Sequence, residues 1–255
     1  MLCTDLDSTL RNSKGEISKE NREALERFME EGGLFSVCTG RRPDGVSLDG
    51  LMPNAPVVTL NGACLYDPAA ERVLDSLLLP DSAQRAVQQL LERHGRSVEC
   101  ISYNTAYDGY DCVPAESGKT TEELAALVLQ RKCNVFCACF FTAEEALAAR
   151  ADMETLPEFQ GSLAFIRSWN RGVEIVPQAY TKGAGVRRLR ARLGDRVKKV
   201  VCVGDYENDI SMMEAADIGY AVANACPELK QAAHRVTVSN NEHALAVIIR
   251  ELAAE

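Results

Sequence analysis

Histidine is scarce in this sequence, and cysteine is neither dense nor regularly spaced. The 255 residues include His94, His234 and His243, which are far apart and form no HExxH pair. Ten cysteines are about 4% of the chain, below the ~8–10% typical of disulfide scaffolds, and no CxxC pair occurs. The sequence therefore indicates neither a histidine-based zinc protease nor a disulfide-built domain. We expect free thiols and a reducing compartment, the cytoplasm.

Long apolar runs and an excess of positive charge are also missing. The longest apolar run, 135–141, has 7 residues, whereas a helix needs ~20 to cross a bilayer. Asp5 and Asp7 lie where a signal peptide would have positive charge followed by an apolar stretch. The 28 Lys and Arg against 37 Asp and Glu give a net charge of −9, the wrong sign for neutralising nucleic-acid phosphates. We expect no membrane, secretory or nucleic-acid role.

Strand-like and helix-like segments alternate along the chain. Strands are predicted at 2–4, 34–38, 57–60, 200–203 and 219–222, and helices beginning near Ser18, Lys182, Asp209, Pro227 and Glu242. The turn Asn61-Gly62 is predicted to lead into a short hairpin of 63–66 with 72–74. Because strand, helix and strand joined by short loops form right-handed crossovers, the pattern predicts an α/β fold with a Rossmann-like, doubly wound parallel sheet.

A second alternating block, 81–177, interrupts this pattern. Helices are predicted at 81–94, 121–130 and 143–156, and strands at 98–103, 134–141, 163–168 and 173–176. The block is long enough to be a domain of its own. We therefore expect an α/β domain at 81–177 inserted into a core domain made of 1–80 and 178–255.

Four polar clusters lie at the predicted ends of strands or beside them. They are Asp5-Leu6-Asp7-Ser8-Thr9, Thr39-Gly40, Lys182-Gly183 and the segment 204–209, Gly-Asp-Tyr-Glu-Asn-Asp. Ligands bind at the carboxyl ends of the strands in an open parallel sheet. Lys182 begins a helix, which brings it to the same edge of the sheet from the other direction. The clusters are therefore expected to converge on one site.

The residue types in these clusters indicate metal-assisted phosphoryl transfer. Asp5, Asp7 and Asp205 would repel one another unless a cation joins them, and oxygen ligands of this kind suit Mg²⁺. The side chains of Thr39, Lys182 and Asn208, together with loop N–H groups, are donors that a phosphoryl group needs. Asp5, the first residue after its strand, is our candidate nucleophile through an aspartyl-phosphate. Asp7 is the candidate general acid and base.

The order of these motifs resembles the haloacid dehalogenase superfamily of phosphohydrolases. That superfamily has DxDx[TV], a strand-terminal Ser or Thr, a Lys, and an acidic GDxxxD or GDxxND element. The segments similar to its Cof-like subfamily are 5–10, 37–41, 61–63, 181–183 and 204–213, with 221–225 and 228–230 near the end of the chain. The resemblance spans nearly the whole sequence. One departure is Ser8, where the subfamily usually has Gly.

The resemblance implies a role for each matching residue. Asp5 would be the nucleophile and a Mg²⁺ ligand, Asp7 the acid and base with its backbone carbonyl on the metal, and Asp205 a further metal ligand. The residues implied to hold the phosphate are Thr39 with the Gly40 amide, Lys182 and Asn208. Asp209 would support the metal shell or its waters. The insert 81–177 would be a cap domain that sets substrate specificity.

We therefore predict a Mg²⁺-dependent phosphomonoester hydrolase for small phosphorylated metabolites, with sugar phosphates as the leading class. A phosphomutase of the same superfamily and a catalytically silent ligand-binding module remain as alternatives, which free phosphate release would distinguish. The candidates for substrate contacts in the insert are Tyr103, Tyr107, Tyr110, Arg167 and Trp169, which the sequence does not rank. The sequence also gives no oligomeric state.

Overall fold

The computed structural model describes residues 1–107, 111–114 and 118–254, and Tyr110 lies outside them. In chain order the strands and helices are β1 (Leu2–Thr4), α1 (Lys19–Glu30), β2 (Phe35–Val37), β3 (Val57–Thr59), β4 (Cys64–Asp67), β5 (Arg72–Ser76), α2 (Ser82–His94), β6 (Val98–Asn104), β7 (Asp111–Pro114), α3 (Thr121–Gln130), β8 (Val135–Phe140), α4 (Ala143–Glu154), β9 (Leu163–Ile166), β10 (Gly172–Pro177), α5 (Lys182–Leu193), β11 (Val201–Gly204), α6 (Ile210–Ala215), β12 (Ile218–Ala221), α7 (Pro227–Ala232), β13 (Arg235–Val236) and α8 (Ala244–Ala253). The predicted α/β class is confirmed.

The chain divides into two compact units. Met1–Asp75 and Lys182–Glu255 form the first unit, and Ser76–Thr181 forms the second. The divisions fall a few residues from the predicted limits at 80 and 178. The roles of these units as core and cap stay a prediction.

A parallel five-stranded sheet organises the first unit, in the order β13-β12-β11-β1-β2. In β1, Leu2 lies beside Val201 of β11 on one side and Phe35 of β2 on the other. Strands β1, β2 and β11 are buried throughout, as expected for parallel strands with both faces covered. Their carboxyl ends carry Asp5, Thr39 and Asp205, so the sheet brings these three positions to one edge.

The third predicted strand does not join that sheet as a full member. β3 belongs to a separate three-stranded sheet, β3-β4-β5, and pairs with β4 antiparallel. Its parallel contact with the segment after β2 is a single bridge, Cys38 with Val58. The Asn61-Gly62 turn leads into β4, as expected, but β3 pairs with β4 in the same small sheet instead of joining the parallel one. Strand β13 has only two residues and β7 four, and neither was predicted from the sequence.

The second unit has an antiparallel sheet, in the order β7-β6-β8-β10-β9. Alternate residues of β8, including Phe136 and Phe140, are buried in the core of this unit with residues of α2, α3 and α4. Tyr103 belongs to the same core, and its hydroxyl donates to the Leu124 carbonyl at 2.7 Å. Tyr103 is therefore a packing residue of this unit. No helix in the described part of the chain is long and apolar enough for a membrane span.

Helix starts in both units use side chains from the sequence immediately before them. The Ser18 hydroxyl accepts the N–H of Asn21 and begins α1, as predicted. Thr120 and Glu123 form a reciprocal capping box at α3. These caps satisfy N–H groups that the first turn of a helix leaves without a partner.

Helix α5 approaches α6 very closely at Gly183. The Gly183 N–H donates to the Ser211 hydroxyl at 3.0 Å. A Cβ added at Gly183 would lie 1.8 Å from the Ser211 carbonyl oxygen, which is backbone and cannot swing aside. This contact fixes the first turn of α5, and therefore Lys182, against the segment that follows β11.

Replacing Gly183 tests this close approach. Gly183→Ala is expected to lower the free energy of unfolding by about 2–3 kcal/mol, since overpacking forces backbone to move. The thermal midpoint would then fall by about 4–12 °C. Gly45→Ala is the matched control, because its Cβ would meet only the Cβ of Arg41 at 3.9 Å. Equal midpoints for the two variants would contradict the contact.

Candidate active site

The turn after β1 separates two aspartates into different environments. The Asp5 N–H donates to the Val203 carbonyl at 2.8 Å, which continues the pairing of β1 with β11. The chain then makes a wide turn at Leu6–Leu10, in which Ser8 is left-handed with φ 60°. The Asn224 amide donates to the Ser8 carbonyl at 2.9 Å and anchors the turn. Asp5 is buried and Asp7 is exposed.

Lys182 lies between two buried carboxylates. Its Nζ donates to Asp5 Oδ1 and to Asp209 Oδ1, both at 2.6 Å. The lysine and Asp209 side chains are 1% and 0% exposed. Burial alone would lower the pKa of Lys182, but the carboxylates of Asp209 and Asp5 raise it well above its ordinary value. The two carboxylates therefore favour the charged form of the lysine.

Asp209 organises the segment that follows β11. One of its oxygens accepts from Lys182, and Oδ2 accepts the N–H groups of Asp205 at 3.0 Å and Tyr206 at 3.1 Å. Asp205 Oδ1 in turn accepts from the Thr9 hydroxyl at 2.9 Å. Asp209 therefore positions Asp205 by accepting the backbone N–H of that residue.

Three of these carboxylates form a compact cluster. Asp5, Asp205 and Asp209 each offer an oxygen, and these oxygens lie within 4.8 Å of one another. Burial and the charge of Asp209 raise the pKa of Asp205 to about 6. Burial, with the charges of Asp209 and Asp205, also raises the pKa of Asp5 well above its usual range, against the influence of Lys182.

The donor set fits a hard divalent cation. When Asp5, Asp205 and Asp209 are ionised, the single charge of Lys182 leaves about two negative charges unbalanced. Closely spaced carboxylate oxygens with this excess charge suit hard divalent cations such as Mg²⁺, Ca²⁺ and Mn²⁺. The Asp7 side chain is not a member of this cluster. Its carboxylate pairs with Arg41 at 2.7 Å.

Three of the four predicted phosphate-binding residues, Thr39, Gly40 and Asn208, lie around Asn61. Its backbone N–H donates to the Thr39 carbonyl at 3.1 Å. Its Oδ1 accepts from the Asn208 amide at 3.0 Å, so it connects Thr39 and Asn208. A Cβ on Gly40 would lie 3.1 Å from Asn61 Nδ2, so the loop after β2 passes close to this side chain.

Two residues of the site were not identified as functional from the sequence. The sequence presents Asn61 as a turn residue within the similar segment 61–63, and Arg41 as part of the similar segment 37–41, with no role for either side chain. The left-handed conformation of Asn61, with φ 52°, is the feature that an Asn-Gly turn indicates. Its side chain contacts Asn208, which lies in the segment after β11 and is distant in sequence. No local pattern of the sequence could supply this contact.

Comparison with known proteins identifies the family. A family model described as haloacid dehalogenase-like hydrolase matches residues 2–249. The chain is 28% identical over 280 residues to the 5-amino-6-(5-phospho-D-ribitylamino)uracil phosphatase YwtE of Bacillus subtilis, covering 98% of this chain and 97% of that protein. It is 27% identical over 263 residues to the pyridoxal phosphate phosphatase YbhA of Escherichia coli, covering 98% and 97%.

The fold agrees with that family. A solved phosphatase of the haloalkanoate (HAD) enzyme superfamily from Bacteroides thetaiotaomicron superposes with a TM-score of 0.78 at 22% identity, covering 100% of this chain and 95% of that one. This likeness shows the fold, an α/β architecture whose parallel sheet carries the acidic cluster at its edge. The chain belongs to the haloacid dehalogenase-like hydrolases, and the predicted family is confirmed.

Removing the buried ammonium tests the charge balance of the site. Lys182→Met is expected to lower the free energy of unfolding in EDTA by about 3–5 kcal/mol, because Asp5 and Asp209 lose their counter-charge. Without this counter-charge, Asp5 and Asp209 would bind protons more readily in the folded state than in the unfolded state. The deficit relative to wild type should therefore shrink as the pH falls from about 8 to about 5.

Chemical denaturation at both pH values measures this effect. Lys19→Met is the matched control, since Lys19 is 81% exposed and its nearest Glu23 oxygen is 3.5 Å away. We expect the control to change stability by less than about 0.5 kcal/mol. A Lys182→Met deficit that grows as the pH falls would contradict the charge assignment.

Proposed function

We propose that this chain is a Mg²⁺-dependent phosphomonoester hydrolase that works through an aspartyl-phosphate on Asp5. The observation that carries the proposal is the buried arrangement of Asp5, Lys182 and Asp209 beside Asp205. It combines a nucleophile, a fixed cation and oxygen donors for a metal at the edge of a parallel sheet. Burying a charged lysine is costly unless the charge is paired, so the buried Lys182 distinguishes this site from an ordinary exposed acidic cluster.

The reaction divides into two displacements with Asp5 at the centre. Its carboxylate oxygen attacks phosphorus, the bond from phosphorus to the ester oxygen breaks, and Asp7 gives a proton to that oxygen to release the alcohol. Asp7 then takes a proton from water, whose oxygen attacks phosphorus and breaks the bond to Asp5. The sum is phosphate ester plus water giving alcohol plus inorganic phosphate.

The surrounding side chains hold the phosphoryl group and lower its repulsion. The Thr39 hydroxyl, the Gly40 N–H and the Asn208 amide donate to its oxygens, and Lys182 reduces the repulsion between Asp5 and a phosphate dianion. The carboxylates of Asp5 and Asp205, with the Asp7 carbonyl, would hold Mg²⁺. When bound, Mg²⁺ offsets the negative charge of the carboxylates and of the phosphoryl oxygens. Asp209 keeps Asp205 in place.

The substrate class we propose is a small phosphorylated metabolite, with sugar phosphates foremost. The YwtE relative is named for a substrate that carries a 5-phospho-D-ribityl group, and the YbhA relative for pyridoxal phosphate. Both are small phosphate monoesters. We propose the insert 81–177 as the cap that selects among such compounds.

We also propose the cytoplasm as the compartment. The cysteines whose side chains the structure describes, among them Cys3, Cys38 and Cys202, are free thiols. Thiols persist where the environment is reducing.

Replacing the nucleophile tests the mechanism directly. Asp5→Asn is expected to lower inorganic phosphate release by at least about 10³-fold, since a neutral amide cannot form the acyl-phosphate. The assay uses a panel of sugar phosphates, nucleotides and p-nitrophenyl phosphate. Asp195→Asn, at an exposed position of the same unit, is the control and should keep full activity. Undiminished release by Asp5→Asn would overturn the proposal, and a product that retains its phosphate would favour a mutase.

Metal removal tests the role of the acidic cluster. EDTA should abolish phosphate release, and added Mg²⁺ should restore it. Asp205→Asn should raise the Mg²⁺ concentration needed for half-maximal rate by about 100-fold, because a carboxylate ligand is lost. Asp195→Asn should leave that concentration unchanged. A rate that EDTA does not alter would remove the metal from the mechanism.

A further inference from the structure

Arg41 holds both oxygens of the Asp7 carboxylate. Its Nε donates to Asp7 Oδ2 at 2.7 Å, and its Nη2 donates to Asp7 Oδ1 at 2.8 Å. The third guanidinium nitrogen, Nη1, donates to the Gly45 carbonyl at 3.1 Å. The Arg41 backbone N–H donates to the Thr39 hydroxyl at 3.2 Å. The guanidinium is therefore anchored to its own loop while it grips Asp7.

The ion pair of Arg41 with Asp7 contributes little to folding. Their side chains are 39% and 49% exposed, and exposed ion pairs stabilise a protein by only about 0.2–1 kcal/mol. What a planar two-point contact does supply is orientation, because it fixes the plane and direction of the carboxylate. Asp7 lies on an exposed turn, where an unrestrained side chain would rotate freely. The main physical effect of the ion pair is therefore to orient the Asp7 carboxylate.

Arg41 also lies within the electrostatic influence of the buried nucleophile. Its hydrogen bonds to Asp7 raise the pKa of the guanidinium, and the negative charge of Asp5 raises it further, against the opposing effect of burial. Arg41 therefore interacts electrostatically with both aspartates of the Asp5-Leu6-Asp7 motif. It contacts only the second of them.

We propose that Arg41 is a positioning residue for Asp7, which it holds in the direction needed to pass a proton to the leaving oxygen. This inference rests on the proposed function, in which Asp7 is the general acid. When one Asp7 oxygen carries the proton, Arg41 keeps its hydrogen bond to the other oxygen. The carboxyl group then retains its direction while the proton transfers.

The role proposed for Arg41 predicts an effect on rate that depends on the leaving group. General acid catalysis typically accelerates a reaction by about 10²–10⁴-fold, but only when the departing oxygen needs a proton. Phenyl phosphate releases a basic phenolate and needs it, whereas p-nitrophenyl phosphate releases a stable anion and needs it much less. A residue that only held the phosphate or the fold would affect both esters equally.

The experiment compares kcat/KM for these two esters, because kcat/KM reports the step in which the leaving group departs. Arg41→Gln is expected to lower kcat/KM about 10-fold or more for phenyl phosphate and less than about 3-fold for p-nitrophenyl phosphate. Arg41→Lys should not rescue the loss, since an ammonium lacks the two-point fork. Equal losses for the two esters, or none, would overturn the inference.

Two further variants separate this inference from the proposed function. Asp7→Asn should show the same preference for p-nitrophenyl phosphate, and adding Arg41→Gln to it should cause little further loss, because both changes remove one effect. If Asp7→Asn reduces both esters equally, the acid role of Asp7 fails, and the inference fails with it. If Asp7→Asn is selective and Arg41→Gln is not, the inference alone fails.

The neighbouring arginine offers a matched control. Arg42 makes the same kind of two-point contact with Asp44, at 3.1 and 2.7 Å. Arg42→Gln should leave the ratio of the two kcat/KM values unchanged. Thermal denaturation of Arg41→Gln should show a midpoint within about 4 °C of wild type, since the lost ion pair is exposed. A change of the ester ratio in Arg42→Gln would attribute the effect to the loop and overturn the inference.

Discussion

The buried ammonium of Lys182 is the interaction on which the rest of the site depends. It joins Asp5, at the end of β1, to Asp209, in the segment after β11, and comes itself from the first turn of α5. A buried charge is tolerated only when it is paired and hydrogen-bonded. Three parts of the chain, far apart in sequence, must therefore meet for any of the three charges to be buried. The close approach at Gly183 gives this meeting its fixed geometry.

Two aspartates only two residues apart acquire different chemistry from their cationic partners. Asp5 is buried against an ammonium, a compact charge that leaves the carboxylate facing the other acidic groups. Asp7 is exposed and gripped by a planar guanidinium, which fixes its direction. A nucleophile must be placed next to phosphorus and shielded from repulsion, whereas a proton carrier must be accessible and aimed. The two environments match the separate roles we propose for Asp5 and Asp7.

The sequence predicted the parts of this molecule that depend on local pattern. Strands β1 and β11 and helix α1 follow from apolar periodicity and a capping serine, and the polar residues after those strands indicated the site. The pairing of β3 with β4 was missed, because strand order depends on tertiary packing. So were the side-chain contacts of Arg41 and Asn61. Each is defined by a partner from another part of the chain, Asp7 or Asn208.

Backbone strain in the site is tolerated because the surrounding core fixes it. Ser8, Leu60 and Asn61 all have positive φ, at 60°, 52° and 52°, and such a conformation costs a residue other than glycine about 1–2 kcal/mol. The two turns concerned carry Asp7 and the Asn61 amide. The Asn224 side chain donates to the Ser8 carbonyl and anchors the first turn. The Asn61 N–H donates to the Thr39 carbonyl and anchors the second turn to the loop after β2. The buried parallel sheet supplies the stability that lets these turns hold side chains in directions that a relaxed loop would not keep.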